Sequence, residues 1–182
     1  MHGFSLGYED ESGISEKPVV RKTWAIKGQT PTIASSGSWK SLTMAGLLMF
    51  TPKGNNPRIF FRLQPGSMDE HDFIDFLKDI KTELKRKKLL LIWDGLPAHR
   101  SKLVTDYIKS QKSWLRVERY PAYAPELSPV ELIWSPMKTK DLAHIPPKGL
   151  KHLKRLVHKS FRRIKADKKL LKNCLRKVGV LS

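Results

Sequence analysis

Residues 89–93, Leu-Leu-Leu-Ile-Trp, are an unbroken apolar run set between two stretches of helical periodicity. Five apolar residues in a row are too few for a buried helix and too continuous for a strand with one wet face. The run therefore predicts a strand buried on both faces. Upstream, Phe73, Phe76, Leu77, Ile80 and Leu84 recur at helical spacing, and downstream Leu103, Val104, Tyr107 and Ile108 do the same. Helix, core strand, helix is the signature of a layered α/β fold. The run then closes on a charge, Asp94, and Gly95 and Pro97 stop the strand just before His99 and Arg100. A core strand thus delivers a carboxylate to its own tip.

The rest of the chain extends this frame. Phe4, Leu6 and Tyr8 alternate with polar or small residues, which predicts a first strand ending near Asp10. RKTWAIKG (21–28) reads as a second strand, WKSLTMAGLLMF (39–50) as a third, and IFFRL (59–63) as its hairpin partner beyond the turn TPKGNNPR. Ser67 is a candidate cap for a helix over 69–86, with Asp69 and Glu70 in its first turn. The core strand spans 88–94, a helix 97–111 and another strand 114–120. A proline-rich loop (121–129) leads into a helix that begins at VELIW, with Pro129 near its first turn. Two basic helices follow, one striped by Leu150, Leu153, Leu156, Val157, Phe161 and Ile164, the other spanning about 167–178. Early strands on short links should be antiparallel, and later strands separated by helices should be parallel. The expectation is a mixed sheet flanked by helices, with a main unit at 1–145 and a basic helical extension at 146–182.

Composition narrows the function. The chain of 182 residues carries 35 Lys and Arg against 17 Asp and Glu, a formal charge of +18 and a pI near 10.1. Such a balance points to a polyanionic partner, DNA or RNA. No apolar run reaches the roughly 18 residues a membrane span needs, and the N-terminus lacks a signal-peptide pattern. The single cysteine, Cys174, excludes a disulfide framework and sits at helical spacing with Leu170, Leu171 and Leu175, as a buried thiol would. A cytoplasmic protein is expected, associated with the nucleoid if the source is bacterial.

In an open sheet with parallel strands, ligands collect beyond the carboxyl ends of the strands. If the first strand and the core strand are parallel neighbours, Asp10 and Asp94 meet at one edge. Two carboxylates there repel, and a divalent cation with hard oxygen ligands, Mg²⁺ or Mn²⁺, relieves the conflict. Glu131, opening the helix after the last strand, is placed to reach the same edge. Three carboxylates suit two-metal phosphoryl chemistry, in which the ions serve the attacking and leaving oxygens.

Four segments in this order, EDESG, TWAIKGQTP, LLLIWDGLPAHRS and YPAYAPELSPVELIWSPMK, resemble the DDE endonuclease domain of IS630-type transposases, in the Tc1/mariner superfamily. The likeness covers about residues 4 to 140. It implies an RNase H-like fold with a mixed five-stranded sheet, a DDE catalytic domain at 1–145, and a catalytic, metal-binding trio of Asp10, Asp94 and Glu131, with Glu11 a non-catalytic neighbour. It also implies two Mg²⁺ ions, for which Mn²⁺ can substitute, and DNA cleavage followed by strand transfer. His99 matches a histidine frequent after the second Asp in these relatives. Many of them carry Asn where this chain has Gly95. The family's helix-turn-helix region is not found ahead of the first strand here, so a separate or upstream module is expected to supply it. DNA, as element ends and as target, is the expected partner, with a homodimer in the DNA complex.

Each residue also has a plainer reading. Asp10 and the Asp94-Gly95 pair suit turns, and Glu131 suits a helix start; order and context together favour the metal site. His99 either reaches the reacting groups as an auxiliary residue or caps and packs its helix. His71 and Asp75, spaced i and i+4, belong to an acidic solvated face. His144, His152 and His158 are assigned no chemistry, and Trp24, Trp39 and Trp134 are read as packing residues. Arg100, Lys138, Lys140, Lys151, Lys154, Arg155, Lys159, Arg162 and Arg163 are the candidate DNA contacts, because acidic residues are scarce around them. Two alternatives remain: an RNase H-like nuclease with another nucleic-acid substrate, and a decayed remnant that only binds DNA.

Overall fold

The apolar run becomes β4 (Lys88–Trp93), which lies in parallel between β1 (Phe4–Ser15) and β5 (Leu115–Arg119). On its other side β1 pairs antiparallel with β2 (Ser41–Phe50), which in turn pairs antiparallel with β3 (Arg58–Pro65). The sheet order is β3-β2-β1-β4-β5, the mixed topology expected from link lengths. The structure is a computed structural model and describes residues 3–19, 22–32, 40–51, 53, 55–121, 127–143 and 145–180.

Helices cover both faces. α1 (Glu70–Leu84) and α2 (Lys102–Ser110) seal one core, in which Phe73, Leu77 and Ile80 meet Leu47, Leu89, Leu91 and Trp93. α3 (Glu131–Pro136), α4 (Leu150–Ala166) and α5 (Lys168–Lys177) close the other. The basic helices at the C-terminal end are part of that second core: Leu153, Val157, Ile164, Leu171 and Cys174 pack with Leu42, Met44 and Ile59. Phe161 stacks on Phe61 of β3 at 4.0 Å between ring centroids, seating α4 on the sheet. Because α4 and α5 lie against β2 and β3, Ile92 on β4 is only partly covered, as is its neighbour Leu90, whereas Leu89, Leu91 and Trp93 are fully buried. The strand is thus buried completely on one face, not on two.

Several expectations change. The first strand does not end at Asp10; it runs to Ser15, because β2 pairs with it as far as Ser41 and buries Ile14. Alternation hid this, since Glu11, Ser12 and Gly13 look like a turn. No strand forms among the described residues of 21–28: residues 22–32 are irregular and exposed. Trp24, expected to pack, is fully exposed, since Trp24 and Ile26 among Lys22, Thr23, Lys27 and Gly28 offer too little apolar surface to hold a sheet edge. Trp39 and His144 lie outside the described residues. The cap of α1 is Asp69 rather than Ser67: its carboxylate accepts from the backbone of His71 and Asp72, while Asp72 accepts from the backbone of Asp69. The predicted helix 97–111 is broken at Ser101, whose extended ψ of 150° separates a 3₁₀ turn (Ala98–Arg100) from α2.

α3 is short for a matching reason. Pro136 has no N–H to donate and forces the helix to adapt. The chain continues as a π-helical turn (Met137–Asp141), in which the Leu142 N–H reaches the Met137 carbonyl. Such turns recur at functional sites, and this one carries Lys138. No helix among the described residues is long and apolar enough to cross a membrane.

Candidate active site

The strand register brings Asp10 and Asp94 level. Parallel pairing of β1 with β4 ends at Tyr8 and Ile92, so two residues on, Asp10 and Asp94 stand at the carboxyl edge of β4. Asp10 is nonetheless held inside a strand, opposite Gly46 of β2. That glycine is required. A Cβ there would sit 2.6 Å from the Trp134 ring, and the bare backbone lets the indole lie close over β2. From that position its Nε1–H donates to Oδ2 of Asp10 at 3.0 Å. The tryptophan read as a packing residue is therefore buried and also hydrogen-bonds the first carboxylate.

Asp10 shows how crowded the edge is. Burial first, and then the charges of Glu131, Glu11 and Asp94, raise its carboxyl to about 7, against the lowering effect of the Trp134 bond. Of these charges Glu131 acts most strongly, from the exposed first turn of α3. A carboxyl whose ionisation is held back by its neighbours fits a hard divalent cation, which would take the place of the proton on Asp10. Lys138 already approaches this set. It donates to Ser12 Oγ at 2.7 Å, and burial lowers its pKa in spite of the nearby charges of Glu131 and Asp10.

His99 is 1% exposed and lies on the opposite face of β1. Its ring stacks on Trp93 at 4.1 Å and meets Phe73 edge-on at 4.3 Å. Nδ1 is 2.9 Å from Oδ1 of Asp94, and Nε2 is 2.9 Å from Oε1 of Glu11. Burial opposes a charge on the ring, but the bonds to Asp94 and Glu11 outweigh it and raise the imidazole to about 9. Both nitrogens therefore donate. Burial also works against the Asp94 charge, yet the His99 bond and the backbone N–H of Leu96 hold its carboxyl below the usual range. His99 thus packs against β4 and α1 and bonds Asp94 and Glu11, while the cap of α2 is Ser101 rather than His99.

The roles of two acidic neighbours escaped the sequence reading. Glu9 is 1% exposed, and neither carboxyl oxygen has a hydrogen-bond donor among the described residues. Burial, followed by Glu11, Asp10 and Asp94, pushes its carboxyl far up. Glu9 and Glu11 alternate with Asp10 and so share the face with His99; the signal was the i, i+2 spacing. Of the candidate DNA contacts, Arg163 is engaged with Asp141 at 2.6 Å and Lys138 with Ser12. Arg100, Lys140, Lys151, Lys154, Arg155, Lys159 and Arg162 are exposed. Arg155, Lys159 and Arg162 border an open basin of roughly 600 Å³ on α4 together with His152 and His158. A second groove, of roughly 430 Å³, runs past Glu11, Ser12 and Leu96 beside the carboxylates.

A five-stranded mixed sheet with helices on both faces, and acidic side chains at the edge between its first and fourth strands, defines an RNase H-like nuclease fold. The chain matches the DDE superfamily endonuclease family over residues 5–154 and belongs to it. Among solved structures it is similar to the Mos1 transposase paired-end complex with left transposon end, and to the Mos1 mariner paired end complex with Mn. In each case the TM-score is 0.71 and identity 18%, over 95% of this chain and 52% of the other. The Mos1 transposase catalytic domain with Raltegravir and Mg is similar at a TM-score of 0.61 and 14% identity, over 95% of this chain and 77% of that one. The chain spans about half the length of the first two. No curated protein matches it significantly.

Proposed function

We propose that this chain is the catalytic domain of an IS630-type transposase, cleaving DNA at element ends and joining it to target DNA through Asp10, Asp94 and Glu131. The observation that carries this reading is the strand register that sets Asp10 level with Asp94 at the carboxyl edge of β4, with Glu131 close enough to act on the Asp10 carboxyl. Family membership supports it, as do the DNA end and the Mn held by the Mos1 complexes. Asp10, Asp94 and Glu131 would hold two Mg²⁺ ions, with Mn²⁺ able to substitute, and the ions would supply activation of the attacking oxygen and stabilisation of the leaving oxygen.

The protein's own contribution is placement. Asp10 sits on a rigid strand with one oxygen tied to Trp134, and Asp94 is tied through one oxygen to His99 and Leu96. Glu131 completes the set from α3. In the first step water attacks the phosphorus at the element end, the bond to the 3′ oxygen breaks, and a 3′-hydroxyl is released. In the second, that hydroxyl attacks a target phosphorus and expels the target's own 3′ oxygen, so phosphodiester bonds are exchanged without loss. The exposed cations of α4 track the DNA backbone. Recognition of element ends falls to a helix-turn-helix module, separate or upstream, and a homodimer pairs the two ends.

The test is strand nicking. Purified protein should nick supercoiled DNA with Mg²⁺ or Mn²⁺, and Asp94→Asn should lower the rate at least about a hundredfold while keeping its circular dichroism spectrum. Equal nicking by the variant would overturn the assignment. Salt-sensitive DNA binding without any wild-type nicking would instead mark a binding-only remnant.

A further inference from the structure

Glu11 points away from Asp10 across β1, and the proposed chemistry makes no use of it. It is nevertheless joined to Asp94 through one ring. Its Oε1 lies 2.9 Å from Nε2 of His99, and Nδ1 of His99 lies 2.9 Å from Oδ1 of Asp94. The ring has little freedom, since Trp93 stacks on it and Phe73 meets it edge-on. Asp94 is the less enclosed partner: its side chain is 44% exposed and it lies just beyond the end of β4. The Leu96 N–H donates to the same Oδ1 at 2.9 Å. Both donors therefore converge on one oxygen, and Oδ2 is left to serve a cation.

We propose that Glu11 and His99 are positioning residues: Glu11 orients His99, and His99 fixes which oxygen of Asp94 is offered to a metal ion. This rests on the reading of Asp94 as a metal ligand. Outer partners of this kind commonly change metal affinity by about ten- to a hundredfold. A role in packing alone would need the ring but neither of its hydrogen bonds, because the contacts with Trp93 and Phe73 involve only its face and edge. Glu9 faces the same nitrogen, with Oε2 3.9 Å from Nε2, so the decisive changes are made at His99 as well as at Glu11.

The experiment is Mn²⁺ binding to the full chain, read from the electron paramagnetic resonance signal of free Mn²⁺ and independent of cleavage. His99→Phe keeps an aromatic ring and removes both bonds; it should weaken binding about tenfold. His99→Asn retains a donor near the Nδ1 position and should recover part of that loss. Glu11→Gln keeps an acceptor for Nε2 and should bind close to wild type, whereas Glu11→Ala should bind several-fold more weakly. The Glu11 pair leaves the ring packing intact and decides the matter should His99→Phe fold poorly. Wild-type affinity in both His99→Phe and Glu11→Ala, or no recovery in His99→Asn and Glu11→Gln, would overturn the proposal. Asp94→Asn separates the two levels. If it binds Mn²⁺ as wild type does, the metal-site reading falls and this inference with it; if it alone loses binding, only the positioning role falls.

Discussion

Asp10 and His99 give the protein a pH dependence of definite sign. In an unfolded chain the Asp10 carboxyl would titrate at ~3.9, and the fold raises it to about 7. The folded protein binds the extra proton between those values, so stability falls as pH rises through that window. His99 acts in the same direction higher up: its folded value of about 9 exceeds the ~6.5 of an unfolded histidine. Its stabilisation is complete below the unfolded value and is lost as pH rises through the folded one. After chelator treatment the thermal midpoint should therefore drop between about pH 5 and about pH 8. Asp10→Asn should flatten the lower part of that slope, and Mn²⁺ should raise the midpoint more at the higher pH. A midpoint that rises with pH would contradict the geometry of the site. Gly46 makes a separate residue-scale prediction. In Gly46→Ala the new methyl meets the Trp134 ring at 2.6 Å, which should cost about 1–3 kcal/mol in urea unfolding and loosen the indole from Asp10. An unchanged urea midpoint would show that the ring can move aside.

Among the elements, α1 carries the most clearly defined local determinant. Its capping box joins Asp69 and Asp72 reciprocally, and Asp69→Ala should lower stability by about 1 kcal/mol while leaving DNA nicking unchanged when measured well below the unfolding midpoint. The longer-range elements behave differently. β1 reaches Ser15 only because β2 runs beside it, and α3 yields to a π-helical turn only where Pro136 interrupts it. The helical spacing of α1, α4 and α5 was readable because each buries one continuous stripe. The polar end of β1 was not readable, because its partners are other strands and side chains brought from α3 and from the turn after β4.

For the whole molecule the governing quantity is the charge of +18, concentrated on α4 and α5 where Asp167 is the one acidic residue in the two helices and their junction. Those helices bury their apolar stripes in the second core, which leaves the cations on the outer face. Replacing Lys154, Lys159 and Arg162 together with Gln should weaken DNA binding and make the slope of log affinity against log salt shallower, by about 0.9 for each phosphate no longer neutralised. Cleavage should persist at low salt, where the carboxylates are untouched. An unchanged salt slope would place the DNA elsewhere on the surface.

The sequence by itself determined the mixed sheet and its helical layers, since apolar periodicity and link length are local properties. It also marked Asp94 and Glu131 as candidates, because a charge at the end of an apolar run and an acid opening a helix are visible in the chain itself; Asp10 was singled out as the end of a strand that in fact runs on to Ser15. Tertiary structure decided what surrounds them. Trp134 reaches Asp10 from 124 residues away, and His99 reaches Glu11 from 88; no local pattern encodes either pairing. Only the packed fold takes Glu9 out of water and lays an indole on Gly46. The reason is physical: periodicity reports which face of an element is buried, whereas a hydrogen bond or a shifted pKa depends on which groups other elements bring to that face.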